Sequence, residues 1–206
     1  MTKIFYTDIS DITLSDINLS LIRKERIDKA NLINIELKKI QSLVGYLLLR
    51  YALKQFNIDI NDYAFSYKDN KPFFEGLVYN FNITHSNNIV AVVISEKEVG
   101  IDCERIDVNR NFDLLKSYLF TAKETIEFDL LNDIEKCNYF YQKWVMKEAH
   151  FKNVGLGLTK KFNSIDNLNY QVIKIIDIRN ISYYLCCSAN KFEYEKIDFS
   201  LINWSI

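Results

Sequence analysis

The chain has 206 residues, of which 49% are hydrophobic and 26% are charged, so it is long enough for one domain or two small ones. Its 26 Lys and Arg residues nearly balance 27 Asp and Glu residues. The resulting net charge of -1 argues against nonspecific electrostatic binding to nucleic acid. The sequence has no signal-peptide pattern, no apolar run of roughly 20 residues and no C-x-x-C motif, so we expect a cytoplasmic protein with free thiols and no membrane span.

The first half of the chain predicts a strand, two helices and a hairpin. The strand covers residues 3–7, and a helix around residues 20–30 carries a basic run that could be only a solvated face. Apolar spacing predicts a long helix over residues 33–56. After a turn signal at residues 69–72, two strands are predicted over residues 80–85 and 89–95. They are joined at Asn87 and Asn88, which places His85 near the tip of the hairpin.

The second half begins with a strand over residues 99–104, in which alternation puts Asp102 and Glu104 on the same face. A half-exposed strand with an acidic outer face is the simplest interpretation of this D-x-E pattern. However, two such carboxylates lie roughly 7 Å apart and repel each other, so a cation between them is an alternative. Carboxylate oxygens favour Mg²⁺, which commonly completes its shell with waters and phosphate oxygens.

A capping box at Thr121 and Glu124 predicts the start of a further helix. The next helix includes residues 140–152, and from residue 170 the chain is predicted to be β to its end, with strands over residues 170–178, 181–188 and 193–199. The order of helix followed by strands thus occurs twice. This order predicts an α+β fold of two similar fused halves, each a small, mainly antiparallel sheet packed with a long helix.

The helix over residues 140–152 has charged residues on its apolar side. Glu148 and Lys152 fall within the stripe that Trp144 and its aromatic neighbours form, whereas Lys143, Lys147 and His150 fall on the opposite, wet face. An i,i+4 Glu-to-Lys pair that supports the helix by about 0.2–0.5 kcal/mol is the simplest interpretation. A functional role is the alternative, because ionised groups among aromatic residues are costly unless they are paired or hold a metal.

Three blocks of sequence together resemble the 4'-phosphopantetheinyl transferases, particularly the monomeric type with two halves. The blocks are Asn82-Ile83-Thr84-His85-Ser86, then Val99-Gly100-Ile101-Asp102-Cys103-Glu104, then Trp144-Val145-Met146-Lys147-Glu148-Ala149-His150-Phe151-Lys152. The resemblance extends from about residue 26 to residue 158. It departs from the common family pattern at Thr84, which replaces Ser, and at His150, where an aromatic residue is frequent.

The resemblance implies the activity and the site residues. The family transfers 4'-phosphopantetheine from coenzyme A to a serine of an apo acyl or peptidyl carrier protein and releases adenosine 3',5'-bisphosphate. Asp102, Glu104 and Glu148 are implied as Mg²⁺ ligands, with Glu148 and Lys152 as catalytic residues. The residues implied to contact coenzyme A are Arg26, Lys29, Ser42, Lys71, Thr84, His85 and Lys152.

The same resemblance implies a monomer divided at residues 1–98 and 99–206, with the active site between the halves. The shorter carrier protein synthases of the superfamily, which form trimers, are disfavoured by the doubled order of elements. A noncatalytic descendant that only binds coenzyme A or a carrier protein is the remaining alternative. We expect no nucleic acid or membrane among its partners.

Overall fold

The computed structural model describes residues 1–68, 71–155 and 162–204, which contain nine strands and six α-helices. The strands are β1 (Thr2–Asp8), β2 (Phe65–Lys68), β3 (Lys71–Phe74), β4 (Asn80–Ser86), β5 (Ile89–Ser95), β6 (Ile101–Arg105), β7 (Val172–Ile176), β8 (Ser182–Cys187) and β9 (Glu193–Lys196). The helices are α1 (Lys24–Asn31), α2 (Glu36–Lys54), α3 (Asp113–Leu119), α4 (Ala122–Asp129), α5 (Asp133–Val154) and α6 (Phe199–Trp204).

The described strands form three sheets. The first has the order β4-β5-β1-β9, in which β5 is antiparallel to β1 and β4, while β9 is parallel to β1. Strands β2 and β3 form a separate antiparallel pair. The third sheet has the order β6-β8-β7 and is wholly antiparallel. The α+β fold class is confirmed.

The two larger sheets pack face to face between two long helices. On β5, Val90, Val92 and Ile94 belong to the core under α2, whereas Ala91 and Val93 face the third sheet. All seven residues of β5 are buried because both of its faces are covered, which explains its unbroken apolar sequence. Helix α5 covers the outer face of the third sheet and forms the second core with it.

The predicted elements differ from the structure mainly at their ends. The first predicted helix begins only at Lys24, because Leu19–Leu21 form a 3-10 turn, and the long helix runs from Glu36 to Lys54. The prediction of strands to the end of the chain was wrong at its last segment, where Phe199–Trp204 form α6 and Ile202 packs into the first core. Residues 69–70 of the predicted turn and 156–158 at the end of the resemblance lie outside the described residues.

The division of the chain at residue 98 stays a prediction. The structure does show where the last two elements, β9 and α6, pack. Strand β9 pairs with β1, and α6 packs against α2, so both belong with the first sheet. The free thiols are confirmed, since the four cysteines are buried and unpaired. None of the helices in the described ranges is sufficiently long and apolar to cross a membrane.

Candidate active site

Edge strands β4 and β6 of the two larger sheets lie side by side. Among the described residues, four side-chain hydrogen bonds join them: Ile101 N to Asn82 Oδ1 at 3.2 Å, Thr84 Oγ1 to Asp102 Oδ1 at 3.3 Å, Ser86 Oγ to Glu104 Oε2 at 3.2 Å, and Arg105 N to Ser86 Oγ at 3.0 Å. Alternate residues of a strand share a face, so Asn82, Thr84 and Ser86 all point toward β6. We call this contact between β4 and β6 the seam. It contains both carboxylates of β6, those of Asp102 and Glu104.

Helix α5 approaches this seam closely at Gly100, just before β6. A Cβ atom at Gly100 would lie 2.0 Å from the carbonyl oxygen of Ala149 and 2.4 Å from the amide nitrogen of Asn153, so only glycine fits there. This contact involves the turn of α5 between Glu148 and Lys152. The absence of a side chain at Gly100 thus lets the helix carry both of these residues to the seam.

Lys152 forms an ion pair with Asp102. Its Nζ atom lies 2.7 Å from Asp102 Oδ1 and donates a hydrogen bond to Thr84 Oγ1 at 3.1 Å. Among the ion pairs of the described residues, Lys152 is paired with Asp102 and not with Glu148. The i,i+4 pair expected from the simplest interpretation of the helix is therefore not the contact that Lys152 makes.

Burial raises the pKa values of the three carboxylates of the seam, and the Asp102 carboxylate raises those of the other two further. Burial, followed by the nearby Asp102 carboxylate, raises the pKa of Glu148 to about 7, and Glu148 is 8% exposed. Burial and the Asp102 carboxylate likewise raise the pKa of Glu104. Burial raises the pKa of Asp102, and the Lys152 ammonium offsets part of that rise. A site with this excess of acidic groups gains stability from added positive charge.

The donor atoms in the seam are of the type that a hard divalent cation prefers. Asp102 Oδ2 is buried without a hydrogen-bond partner, and Glu104 and Glu148 supply further carboxylate oxygens, the donors that Mg²⁺ prefers. These residues do not form a closed cluster: in the described ranges, no three His, Cys, Asp or Glu side chains are grouped so as to hold a metal ion. The seam thus matches Mg²⁺ in charge and in the type of donor atom, but not in a preformed grouping of ligands.

A large basic cleft adjoins the seam at Lys152. Its volume is about 1410 Å³, and its walls come from α1, α2, β2, β3, β4 and α5. The predicted contacts to coenzyme A that line it are Arg26, Lys29, Ser42, His85 and Lys152. Thr84 does not line the cleft, but it accepts a hydrogen bond from Lys152. The structure therefore brings six of the seven predicted residues to one place.

Several of the cleft's polar groups are held by their neighbours. Arg26 donates to the carbonyl oxygen of Ser42 at 3.3 Å, and its Nε atom is buried without a partner. Lys29 donates to the Tyr67 hydroxyl at 3.1 Å and lies over the same ring. Desolvation by the cleft walls, and then the cations Lys152, Lys38 and Arg26, lower the pKa of His85. His85 is therefore neutral at physiological pH unless an anion enters the cleft.

Lys71 lies apart from the other predicted residues. Its ammonium pairs with the Glu98 carboxylate and donates to the carbonyl oxygen of Asn153 at 3.3 Å. Its neighbour Pro72 lines the cleft, whereas Lys71 is not among the lining residues. The ammonium therefore ties β3 to the end of α5 in this structure.

The structure adds residues that the sequence interpretation missed and corrects one that it misplaced. Lys38 lines the cleft one turn before Ser42 on α2, and its i,i+4 spacing from Ser42 was a usable signal. Lys147 was predicted on the wet face of α5, but this was wrong because it is 1% exposed. Its Nζ atom donates to Leu119 O at 2.7 Å and to Glu124 Oε2 at 2.5 Å, and these partners compensate its burial.

The comparisons with known proteins agree on one family. The model of the 4'-phosphopantetheinyl transferase superfamily matches residues 98–199, about half of the chain. A 4'-phosphopantetheinyl transferase of Bacillus subtilis is 29% identical over 127 residues, which are 60% of this chain and 56% of that protein. The 4'-phosphopantetheinyl transferase gsp of Aneurinibacillus migulanus is 32% identical over 127 residues, 60% of this chain and 52% of that protein.

A third relative, a putative 4'-phosphopantetheinyl transferase of Haemophilus influenzae, is 34% identical over 98 residues, 45% of this chain and 40% of that protein. The chain spans about half the length of the first two relatives. The matched residues 98–199 include the acidic strand β6 and the whole of α5, so the family match covers the carboxylates and Lys152 of the seam. The chain belongs to the 4'-phosphopantetheinyl transferase superfamily.

Proposed function

We propose that this chain transfers 4'-phosphopantetheine from coenzyme A to a serine of an apo acyl or peptidyl carrier protein. The observation that carries the proposal is the junction at Lys152, where a seam of three carboxylates meets a basic cleft of about 1410 Å³. A cleft lined by cations suits the phosphates of a nucleotide, and the carboxylates suit a divalent cation beside them. The names of the curated relatives support the same transfer.

The reaction breaks a phosphoanhydride bond of coenzyme A and forms a phosphodiester bond to serine. The serine hydroxyl oxygen forms a bond to the phosphorus that carries pantetheine, and the bond from that phosphorus to the bridging oxygen breaks. Adenosine 3',5'-bisphosphate leaves with the electron pair of the broken bond, and the serine proton passes to a base. Because the attacking and leaving oxygens lie roughly in line, catalysis consists mainly of positioning and charge stabilisation.

Glu148 and Lys152 have the properties that the two proton transfers require. Glu148 lies in the seam beside Asp102 and is suited to accept the serine proton directly or through a water. Lys152 remains charged beside Asp102 and is placed to stabilise or protonate the leaving oxygen. A magnesium ion held by Asp102, Glu104 and Glu148 would supply positive charge against the pyrophosphate.

The remaining residues bind and orient coenzyme A in this proposal. Arg26, Lys29 and Ser42 contact the 3'-phosphate, and Thr84 and His85 contact the pyrophosphate and the 3'-phosphate. A phosphate contact by Lys71 requires that its ammonium leave Glu98. A monomeric state, a cytoplasmic location and the absence of nucleic acid and membrane partners also stay predictions.

The test is incubation of the purified chain with coenzyme A, MgCl₂ and a panel of apo carrier proteins. We expect at least one carrier to gain the mass of one phosphopantetheine, and we expect the gain to disappear on chelation by EDTA. Glu148→Gln should abolish transfer. Glu135→Gln is the matched control, because Glu135 caps the same helix at its exposed start and glutamine also serves in a capping box.

The noncatalytic alternative predicts a different pair of results. A descendant that only binds coenzyme A would show a raised melting temperature with coenzyme A but would add no mass to any carrier. Transfer that persists at the full rate after EDTA treatment would contradict the magnesium assignment while leaving the transfer activity in place.

A further inference from the structure

We infer that Arg110 binds a carboxylate of the acceptor protein close to the acceptor serine. This inference rests on the proposed transfer and names the contact that positions the second substrate. Arg110 lies in the loop between β6 and α3, and it is absent from the residues that line the coenzyme A cleft. Its contribution therefore concerns the other end of the seam.

Aromatic rings of α5 hold the Arg110 guanidinium in place. The guanidinium carbon lies 5.6 Å from the ring centroid of Phe140, 5.9 Å from that of Tyr141 and 5.4 Å from that of Trp144. The loop itself is fixed to the helix, because Asp107 N donates to the Tyr141 hydroxyl at 3.1 Å. The rings thus orient the Arg110 side chain, which forms no ion pair with any of the described residues.

The guanidinium keeps its hydrogen-bonding capacity free. The Arg110 backbone amide donates to the carbonyl oxygen of Asp107 at 3.4 Å, but within the described ranges its guanidinium forms neither a hydrogen bond nor an ion pair and lies against the three rings. It is close enough to Glu104 to lower the pKa of that carboxyl, which burial raises overall. Arginine held in this way offers a planar set of donors that matches a carboxylate or a phosphate.

The order of residues along α5 decides which substrate Arg110 meets. Trp144, Glu148 and Lys152 are spaced by four residues and share one side of the helix. Along the helix axis, Trp144, which contacts Arg110, therefore lies about 12 Å from Lys152, with Glu148 between them. The basic cleft at Lys152 takes the leaving nucleotide. In-line transfer then requires the serine to arrive from the opposite side, which is the Arg110 side.

The surroundings of Arg110 fit a protein rather than a second nucleotide. Val108 in the same loop is 72% exposed, and Leu114 at the start of α3 is 76% exposed. We call Val108, Arg110 and Leu114 the acceptor surface. One cation between exposed apolar side chains is complementary to an acceptor segment that carries one acidic and some apolar residues around its serine.

The first experiment measures transfer kinetics for Arg110→Gln and Arg110→Lys. We expect Arg110→Gln to lower kcat/KM for the carrier by about 10- to 100-fold, with KM for coenzyme A and the melting temperature unchanged. Arg110→Lys keeps the charge but loses the planar fork, so its loss should be smaller. Arg105→Gln is the matched control: Arg105 lies on the opposite face of β6 from Glu104, and we expect no loss.

The second experiment reverses the charges. Arg110→Glu should lose transfer to the wild-type carrier, and changing one acidic residue beside the acceptor serine to Lys should restore it at least in part. Equal losses for Arg110→Gln and Arg105→Gln, or a rise in KM for coenzyme A with no change toward the carrier, would overturn the inference. So would charge reversal without rescue at any acidic position.

A binding measurement separates this inference from the proposed function. A carrier whose acceptor serine is replaced by alanine is titrated into the chain, wild type and Arg110→Gln. Binding that depends on Arg110 without transfer by the wild type would overturn the proposed transfer and keep the contact. Transfer by the wild type, together with equal carrier affinity and equal kinetics for the variant, would overturn the contact alone. A wild type that binds no carrier would overturn both.

Discussion

Glu148 combines deep burial with a raised pKa, and this makes its charge a cost to the folded protein. A carboxyl whose folded pKa is about 7, against an ordinary value of 4.5, binds a proton more tightly in the folded state. The stability gained from that proton is fully present below pH 4.5 and is lost as the pH rises through 7. A residue kept under this penalty is a strong candidate for a functional role.

Glu148→Gln is therefore expected to stabilise the metal-free protein at pH 8 by about 1–3 kcal/mol and to leave its stability at pH 4 nearly unchanged. Transfer should fall by about 100-fold or more, since the base is lost. Urea unfolding at both pH values, with transfer measured on the same samples, checks this. A variant that is less stable than wild type at pH 8 would mean that the Glu148 charge supports the fold.

Lys152 and Asp102 form the pair whose structural contribution has to be separated from its chemistry. The Lys152 side chain is 31% exposed, so losing one partner should cost about 1–3 kcal/mol, less than for a fully buried pair. We expect Lys152→Met and Asp102→Asn each to destabilise the protein, and the double variant to be more stable than the sum of the two losses predicts. Unfolding of the three variants provides the cycle.

Activity in the same cycle decides the role of the pair. If Lys152 contacts phosphate and Asp102 holds the metal, all three variants remain inactive although the double variant regains stability. Recovery of transfer alongside stability in the double variant would show that the ion pair only supports the core.

The sequence predicted the four charged residues of the seam because each follows from a local period. Strand alternation put Asp102 and Glu104 together, and the helical period turned Glu148 and Lys152 inward. Lys147 could not be placed in this way, since its burial depends on Glu124, which is 23 residues away in sequence. Lys71 was similarly unpredictable, because Glu98 and Asn153 approach it only in the folded chain.

At the scale of elements, the contact between β6 and α5 determines how far the charged turn of α5 reaches into the seam. Gly100→Ala would place a methyl group on the backbone of Ala149 and Asn153, and backbone cannot move aside as a flexible side chain can. We expect a loss of at least about 2–4 kcal/mol in the free energy of unfolding, as in overpacked sites, together with a loss of transfer. Thermal unfolding and transfer rates measure both.

Gly45→Ala is the matched control for this prediction. Its new Cβ would meet the side chain of Ile83 at 3.2 Å, which has room to adjust, and alanine favours a helix over glycine by about 1 kcal/mol. Its stability should stay within about 1 kcal/mol of wild type. Equal losses of stability for the two variants would contradict the close backbone contact that we describe between Gly100 and α5.

Element boundaries followed tertiary contacts that no window of sequence contains. Helix α6 has six residues, too short for a reliable helical period, and it is held by packing of Ile202 against the first core. By contrast, α5 and β5 are long and strongly patterned, and both were predicted as the elements they are. The elements predicted correctly, α5 and β5, have long hydrophobic patterns, whereas the segment assigned wrongly, α6, has a short one.

At the scale of the whole molecule, Asp177 joins the turns of the two larger sheets. It is 4% exposed and accepts hydrogen bonds from Asn88 Nδ2 at 3.2 Å and the Tyr183 hydroxyl at 3.0 Å. Burial alone would raise the pKa of Asp177, but these and the backbone hydrogen bonds from Ile181 and Arg179 lower it overall. Its stabilising effect is therefore present above its ordinary value of 3.8 and is lost as the pH falls through the folded value.

Asp177→Ala should cost about 2–4 kcal/mol at pH 7, because Asn88 in the turn between β4 and β5 of the first sheet and the Tyr183 hydroxyl of β8 both lose a charged acceptor. The difference from wild type should shrink in urea unfolding as the pH falls below 3.8. Asp59→Ala is the control: Asp59 caps only its own 3-10 turn, and we expect a loss of about 0.5–1 kcal/mol. Similar losses for the two variants would argue that Asp177 serves its own turn and not the contact between sheets.

The parallel pairing of β1 with β9 has a consequence for biosynthesis. Lys3 lies opposite Glu193, so β1 obtains its outer neighbour only after about 190 further residues have been translated. Until then the outer edge of β1 presents unpaired backbone groups, and the core under α2 lacks Ile197 and Ile202. The first sheet is therefore completed after synthesis of α5, and nascent chains expose an edge that chaperones or other nascent chains can bind.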